Sequence, residues 1–371
     1  MTEPFGYGGV QSDLLTLSED LTARGHRVYV ATTEGELLRE LQGRGAIHVD
    51  IDFHFRNPIH LLRAARQLRT CVEAEHIDLV APQSVRSALA TYFALHLGRV
   101  KGARPPVVVT IHNIHNPVHF RYAGRILNRC ADYVIFESHY EHRRVVAGGL
   151  PAGKSTVIHS GIDTGRFTPM PKPTDLLDQY RLHDCYPVFG IVARLSEEKG
   201  HRYLVEAFAK AAPQLPRARL LIIGDGPLLA STRSLVADLA LDDRITFTGP
   251  QRDIPRFMAL MDVFVLASTR ESFPLAAREA MAAGKPVIAP DIGGCPEVVD
   301  AGVTGYLFAA RDVEQLASRM VEIASGTRVS AFGAAGRDRV LRLFSRESWV
   351  TGDEAVYLSQ LRQRLASDAA P

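Results

Sequence analysis

Residues 266–299 read LASTRESFPLAAREAMAAGKPVIAPDIGGCPEVV, and the fold is decided there. The apolar run Val263-Phe264-Val265-Leu266 predicts a buried strand that breaks at Ser268-Thr269-Arg270. Glu271 and Ser272-Phe273-Pro274 follow, then a helical pattern through Leu275, Ala276, Glu279, Ala280 and Met281. Gly284 is expected to stop that helix, and Lys285-Pro286-Val287-Ile288-Ala289 begins the next apolar run. Strand, turn, helix, strand is one unit of a parallel α/β sheet. Ligands of such sheets bind at the carboxyl edge of the strands, where Glu271 and Glu279 fall. Pro274 suits a first helical turn, whose free N–H groups can face a phosphate. Glu279 comes five residues later, about 7.5 Å along the axis. A phosphate at the helix start and a hydroxylated ring at Glu279 therefore fit one nucleotide. The plainer alternative is a surface glutamate on a helix, preceded by a loop glutamate.

The same alternation extends outward. Downstream of residue 177 the strand-like runs are 188–193, 219–223 and 245–248, with helical patterns at 203–211, 230–241, 254–261, 313–324, 329–344 and 349–366. Upstream, strand-like runs at 28–31, 46–51, 78–81, 106–112, 133–137 and 156–159 alternate with helical patterns at 60–75, 86–97, 120–130 and 139–147. Short strands alternating with longer helices predict parallel sheets covered on both faces. Pro169, Pro171 and Pro173 crowd into residues 164–174, the best linker candidate. The expected fold class is α/β, with two doubly wound Rossmann-like domains facing a central cleft. The boundaries are 1–165 for the first domain and 177–345 for the second, with the helix of about 349–371 packing back on the first.

A chain of 371 residues has room for two such cores. A net charge of +2 gives no case for nucleic acid, and the N-terminus has neither the basic nor the apolar region of a signal peptide. No apolar run is long enough to span a bilayer, so the expected location is cytoplasmic. Cys71, Cys130, Cys185 and Cys295 are scattered, which argues against a zinc site or a disulfide framework. Gly6-Tyr7-Gly8-Gly9 opens a helix as a phosphate-binding turn does, yet the residues before it do not form a strand. The first strand of that βαβ unit is therefore expected to be missing.

Several segments follow strand ends in the second half. Arg194 ends one strand and Lys199 precedes a helix, two cations that suit a diphosphate. The alternative is a polar loop in which Glu197 and Glu198 neutralise both. Ile223-Gly224-Asp225-Gly226 allows a tight turn, with Asp225 placed to cap the next helix. Gly249 ends a third strand, and Asp291-Ile292-Gly293-Gly294 with Glu297 lies behind the glutamate pair.

Together with Ser160-Gly161-Ile162-Asp163 and Gly8-Gly9, these segments resemble the family 4 glycosyltransferases, retaining enzymes of the GT-B fold. The resemblance covers nearly the whole chain, and its most specific part is E-x7-E with the upstream Arg/Lys pair. It implies that Arg194 and Lys199 neutralise the diphosphate of a nucleotide-sugar, a UDP-, GDP- or ADP-sugar, and that Glu279 binds the ribose. It implies that Glu271, with the Phe273-Pro274-Leu275 turn and the Gly224 and Gly249 strand ends, contacts sugar and phosphate. Gly9 would offer a backbone N–H to the phosphate from the first domain. His112 stands where the family carries a histidine near the donor sugar, with His115 as the runner-up. Substitution is front-face: the acceptor hydroxyl enters on the leaving-group side and a departing phosphate oxygen takes its proton. No protein nucleophile, cofactor or metal is implied.

The missing first strand departs from the family pattern, and so do two further places. Pro82-Gln83-Ser84 stands where relatives often carry a histidine, and Ser160 replaces a frequent asparagine. The implied acceptor is the hydroxyl of a glycan or lipid-linked sugar. Residues 79–131 hold no acid but carry Arg86, Arg99, Lys101, Arg104, Arg121, Arg125 and Arg129, and Arg63, Arg66 and Arg69 punctuate an earlier helix. Such a domain suits peripheral contact with the inner face of an anionic membrane, the alternative being a solvated basic face. Competing functions on the same architecture are a sugar-nucleotide epimerase, a phosphorylase, or a non-catalytic nucleotide-sugar-binding protein.

Overall fold

A computed structural model of the chain describes residues 9–53, 57–96, 103–114, 117–325 and 327–368. The expectation of a missing first strand falls on residues 1–8, and these and His115 lie outside the described residues. The chain divides into two compact units, residues 1–161 with 347–371, and residues 162–346. The proline-rich stretch 164–174 thus belongs to the second unit rather than forming the crossing between units. Its backbone is held there, for Arg337 donates to the Phe167 carbonyl at 3.0 Å.

The first unit contains α1 (Gly9–Ala23), β1 (Tyr29–Thr32), α2 (Leu38–Gly43), β2 (Ile47–Asp50), α3 (Pro58–Ala74), α4 (Val85–His96), β3 (Val108–Ile111), α5 (Pro117–Cys130), β4 (Tyr133–Phe136), α6 (His139–Ala147) and β5 (Ser155–Val157). β1 pairs with β2, and β3, β4 and β5 form a second set, all parallel. Residues 78–81 are not a strand. They bond to the β3 segment through Val80 N to Pro106 O, Val108 N to Val80 O and Thr110 N to Pro82 O. Pro82 then has no N–H with which to continue the ladder. Val109, Ile111, Val134 and Phe136 face one core, while Val108 and Ile135 face Tyr357 of the C-terminal helix. Alternate residues are thus buried on both faces, as a covered parallel sheet requires.

The second unit continues with α7 (Thr174–Tyr180), β6 (Val188–Val192), α8 (His201–Ala211), β7 (Arg219–Ile223), α9 (Leu229–Asp238), β8 (Ile245–Gly249), α10 (Ile254–Leu260), β9 (Val263–Val265), α11 (Leu275–Ala282), β10 (Val287–Pro290), α12 (Cys295–Val298), β11 (Gly305–Phe308), α13 (Val313–Ser325) and α14 (Val329–Leu343). The last helix, α15 (Arg346–Asp368), returns the chain to the first unit. The six parallel strands are ordered β11-β10-β9-β6-β7-β8. Numbered within the unit this is 3-2-1-4-5-6 read from the far edge, the doubly wound order with its switch point between β6 and β9. Leu220 and Ile222 of β7 enter one core and Leu221 and Ile223 the other, so helices cover both faces. The edge strand β11 is an element that the sequence pattern did not reveal.

Candidate donor site

The switch point of the second sheet is where opposing loops leave a crevice at the carboxyl edge. The loop after β6 carries Arg194 and Lys199, and the loop after β9 carries Glu271. Lys199 Nζ donates to Glu271 Oε1 at 2.7 Å, and Ser268 Oγ donates to the same oxygen at 2.7 Å. The lysine side chain is 29% exposed and the glutamate 10%, so the pair is covered on one side and open to a ligand on the other. Neither Glu197 nor Glu198 forms an ion pair with Arg194 or Lys199 among the described residues; Glu198 feels the charge of Lys199 but accepts from Ser196 Oγ, at 2.5 Å. Arg194 is exposed and makes no ion pair among the described residues. His201, just behind Lys199, is buried, and burial together with Lys199 pushes it down to about 4, so it adds no competing positive charge.

Two glycines fix this pair. Gly200 has φ +65°, and a Cβ there would stand 2.0 Å from the Ala267 carbonyl oxygen. Gly293 has φ +57°, and its Cβ would stand 1.6 Å from the Glu271 carbonyl oxygen. Both loops therefore press on the β9 exit so closely that a side chain is excluded. Gly224 has a similar reason, since a Cβ would lie 2.1 Å from Ala193 O, beside Arg194. Its N–H donates to Gly249 O at 3.0 Å, which ties the β7 and β8 exits together. Gly249, at φ +71°, faces open space. Asp225 does not cap α9, whose N-cap is Leu228; its carboxylate accepts from Gly226 N at 2.7 Å.

Pro274 is the N-cap of α11 rather than part of its first turn, because its ψ of 108° is extended. The free N–H groups thus begin at Leu275, and Glu279 lies just over one turn further on. Burial pushes the Glu279 carboxyl up to about 7, against the pull of Arg166 and Arg278. Arg278 is a residue that the sequence reading missed. It is 1% exposed, its guanidinium sits 4.1 Å from the Phe273 ring centroid, and Nη2 donates to Phe273 O at 3.3 Å. Phe273 in turn meets Phe344 edge-on at 5.4 Å. A buried cation thereby clamps the turn between Glu271 and Glu279 from behind.

The first unit holds the remaining candidates. Gly9 is exposed at the start of α1. His112 follows β3 and is buried, with Nδ1 2.8 Å from Glu137 Oε1 and Nε2 2.9 Å from Gln83 Oε1. Through Gln83 the Pro82-Gln83-Ser84 segment thus touches His112 directly.

In the second unit a sheet of doubly wound order thus carries a lysine–carboxylate pair at its switch point, a glycine-fixed loop and a second carboxylate one turn into the next helix. Residues 186–325 match the family described as Glycosyl transferases group 1, and residues 7–166 match Glycosyltransferase Family 4. The chain belongs to these glycosyltransferases. It is 26% identical over 369 residues to the N-acetyl-alpha-D-glucosaminyl L-malate synthase of Bacillus anthracis, covering 93% of this chain and 92% of that one. It is 36% identical over 220 residues to the GDP-mannose-dependent alpha-(1-6)-phosphatidylinositol monomannoside mannosyltransferase of Mycobacterium tuberculosis, covering 56% of this chain and 57% of that one. The fold is similar to Anabaena Alr3699/HepE, solved in complex with UDP and glucose, with a TM-score of 0.83, 23% identity and 97% of each chain covered. The GT-B architecture expected from the sequence is the one that these structures share.

Proposed function

We propose that this glycosyltransferase is a retaining enzyme that moves a hexose-type sugar from a nucleotide diphosphate sugar to a hydroxyl of a glycan or lipid-linked acceptor. The observation that carries the donor half is the Lys199–Glu271 pair at the switch point, with Arg194, which makes no ion pair among the described residues, nearby in sequence and Glu279 on the following helix. Breaking the bond between sugar C1 and the diphosphate oxygen builds positive charge on the ring and negative charge on the departing diphosphate. Lys199, Arg194 and the first N–H groups of α11 stabilise that anion most in the transition state. The acceptor oxygen bonds to C1 from the leaving-group side and passes its proton to the departing phosphate oxygen. Glu271 orients Lys199 through Oε1, which accepts from Lys199 and Ser268, and the front-face route needs no protein nucleophile. Glu279 accepts from the ribose hydroxyls. The residues imply no metal or cofactor for this step, as two cations already meet the charge.

The first unit supplies the acceptor side in this reading. Helix α4 packs between α3 and α5, and their outer surface exposes Ile59, Leu62 and Tyr122 among Arg63, Arg66, Arg121 and Arg125. Apolar side chains set among cations suit an anionic leaflet, with each base near the surface contributing on the order of 1 kcal/mol. That favours a lipid-linked acceptor presented at a membrane. No helix among the described residues is long and apolar enough to cross one.

The test is turnover with UDP-, GDP- and ADP-sugars, with acceptors offered in solution and in anionic vesicles, and NMR of the product anomer. Transfer with the donor's anomeric configuration kept is expected. An inverted product, or altered donor without transfer, would contradict the proposal.

A further inference from the structure

His112 is surrounded by acceptors. Gln83 Nε2 donates to the Ala81 carbonyl at 2.9 Å, which fixes the amide so that Oε1 faces the ring. Nε2 of His112 must therefore donate to it. Nδ1 faces the Glu137 carboxylate at 2.8 Å, and Asp13 Oδ2 stands 4.0 Å away. At 2.8 Å two facing lone pairs would repel, so Nδ1 carries a proton as well and the contact is an ion pair. A ring with both nitrogens protonated is an imidazolium. The pair is 7% and 6% exposed, out of reach of solvent screening.

We propose that His112 works as a fixed imidazolium, with Glu137 the positioning residue that keeps it charged and Gln83 the placeholder for a donor oxygen. This rests on the reading of His112 as the donor-site histidine. Nδ1 keeps its ion pair with Glu137, while Nε2–H exchanges Gln83 Oε1 for an oxygen of the nucleotide-sugar. The bond exchanged is a hydrogen bond, and no proton is transferred. A cation in that place favours the leaving diphosphate or a polarised sugar hydroxyl, and a neutral ring would give half the donors.

The electrostatics agree. Burial by itself lowers the pKa of His112, but Glu137, with Asp13 and Asp353, outweighs it and raises the ring above its ordinary value. Asp353, on α15, is pushed up to about 8 by burial and by Glu137, so it is protonated at neutral pH and does not add a third charge. The charged or titratable groups facing the ring among the described residues are thus Asp13 from α1, Glu137 from the β4 exit and Asp353 from α15. The carboxylate and ring atoms of Asp13, His112 and Glu137 also lie within 4.8 Å of one another, the spacing of a metal-ligand set. A metal would need a bare nitrogen on the ring, so the two readings exclude each other.

The experiment is NMR of the full chain with 15N- and 13C-labelled histidine, His112 being assigned by its loss in His112→Gln, together with kcat and KM against pH. The expected result is a ring that stays cationic through pH 7.5 and titrates above the exposed histidines. In Glu137→Gln the titration moves down by at least one unit. There kcat falls at least tenfold and its alkaline limb moves to lower pH, with donor KM changed less than threefold. Glu137→Asp restores part of both. A ring already neutral at pH 7, a titration unmoved by Glu137→Gln, or a divalent ion bound stoichiometrically by the purified chain and lost in His112→Gln would each overturn the proposal. Failure of the functional reading itself shows differently, as no transfer from any donor whatever the charge of His112.

Discussion

Each unit carries one ion pair at a strand exit, and the two are built differently. In the second unit Lys199 and Glu271 meet at 2.7 Å with the lysine 29% exposed. In the first, His112 and Glu137 meet at 2.8 Å with neither more than 7% exposed. Lys199 is held loosely enough to trade part of its pairing for a diphosphate, and its carboxylate partner keeps it aimed while it waits. His112 is paired with Glu137 through one nitrogen and hydrogen-bonded to Gln83 through the other, in a buried setting where removing one partner strands the other. An open pair suits an anion that arrives and leaves. A closed one suits a fixed charge that must not drift. The second unit thus reads as the place where binding energy is gathered, and the first as the place where it is directed.

That comparison is broken most forcefully at Lys199. Lys199→Ala should lower kcat/KM by about a hundred- to a thousandfold, the range for losing one preorganised donor to a developing anion. His112→Gln, which keeps the side chain's donor but not its charge, should cost less. Steady-state kinetics on both variants checks this, and equal losses would erase the distinction between the two pairs. A smaller effect is expected at Arg278. Arg278→Leu keeps the volume apolar but frees the Phe273 carbonyl and the turn that leads into α11. Donor KM should rise about tenfold, roughly the loss of one charge-assisted hydrogen bond, with kcat nearly kept. Because Arg278 also pulls the Glu279 carboxyl down, the pH midpoint of donor binding should move up in the same variant. A purely structural role would move stability and leave that midpoint alone.

The parts legible in the sequence were those that obey a local rule. The strand–turn–helix around Glu271 and Glu279 is set by a switch from an apolar run to helical spacing. Gly200, Gly224 and Gly293 mark places where backbones approach within contact distance, and only glycine fits. The partners of those groups were not legible. Glu197 and Glu198 are the acids nearest Lys199 in sequence, yet the sheet order brings the β9 exit beside the β6 exit, and Glu271 takes the lysine. Strand neighbours are a tertiary property, invisible to spacing. Arg278 on a short helix reads as a surface arginine until Phe273 folds over it. Glu137 and Asp353 join His112 from the β4 exit and the C-terminal helix, and only the fold collects them. The edge strand β11 was hidden because four residues starting from Gly305 carry too little pattern. Pro274 fell one residue outside its helix because proline fixes φ and leaves ψ free.

The central claim is that the β6–β9 crevice binds a nucleotide-sugar with Glu279 on the ribose, and calorimetry across pH tests it most directly. Burial places the Glu279 carboxyl at about 7 in the empty site, a raised value for a carboxyl. The empty fold therefore loses stability as pH rises from the ordinary carboxyl range up to that value, where the half-buried group ionises. Ribose hydroxyls that donate to the ionised form recover that loss, so binding must strengthen over the same window. A nucleotide-sugar is the right probe, since its diphosphate has no proton to lose near pH 7. Between pH 6 and pH 8 its affinity should rise about tenfold, one pK unit of linkage, and Glu279→Gln should remove the rise while weakening binding at pH 8. An affinity flat across that range in the unaltered chain, or a rise that survives Glu279→Gln, would contradict the assignment.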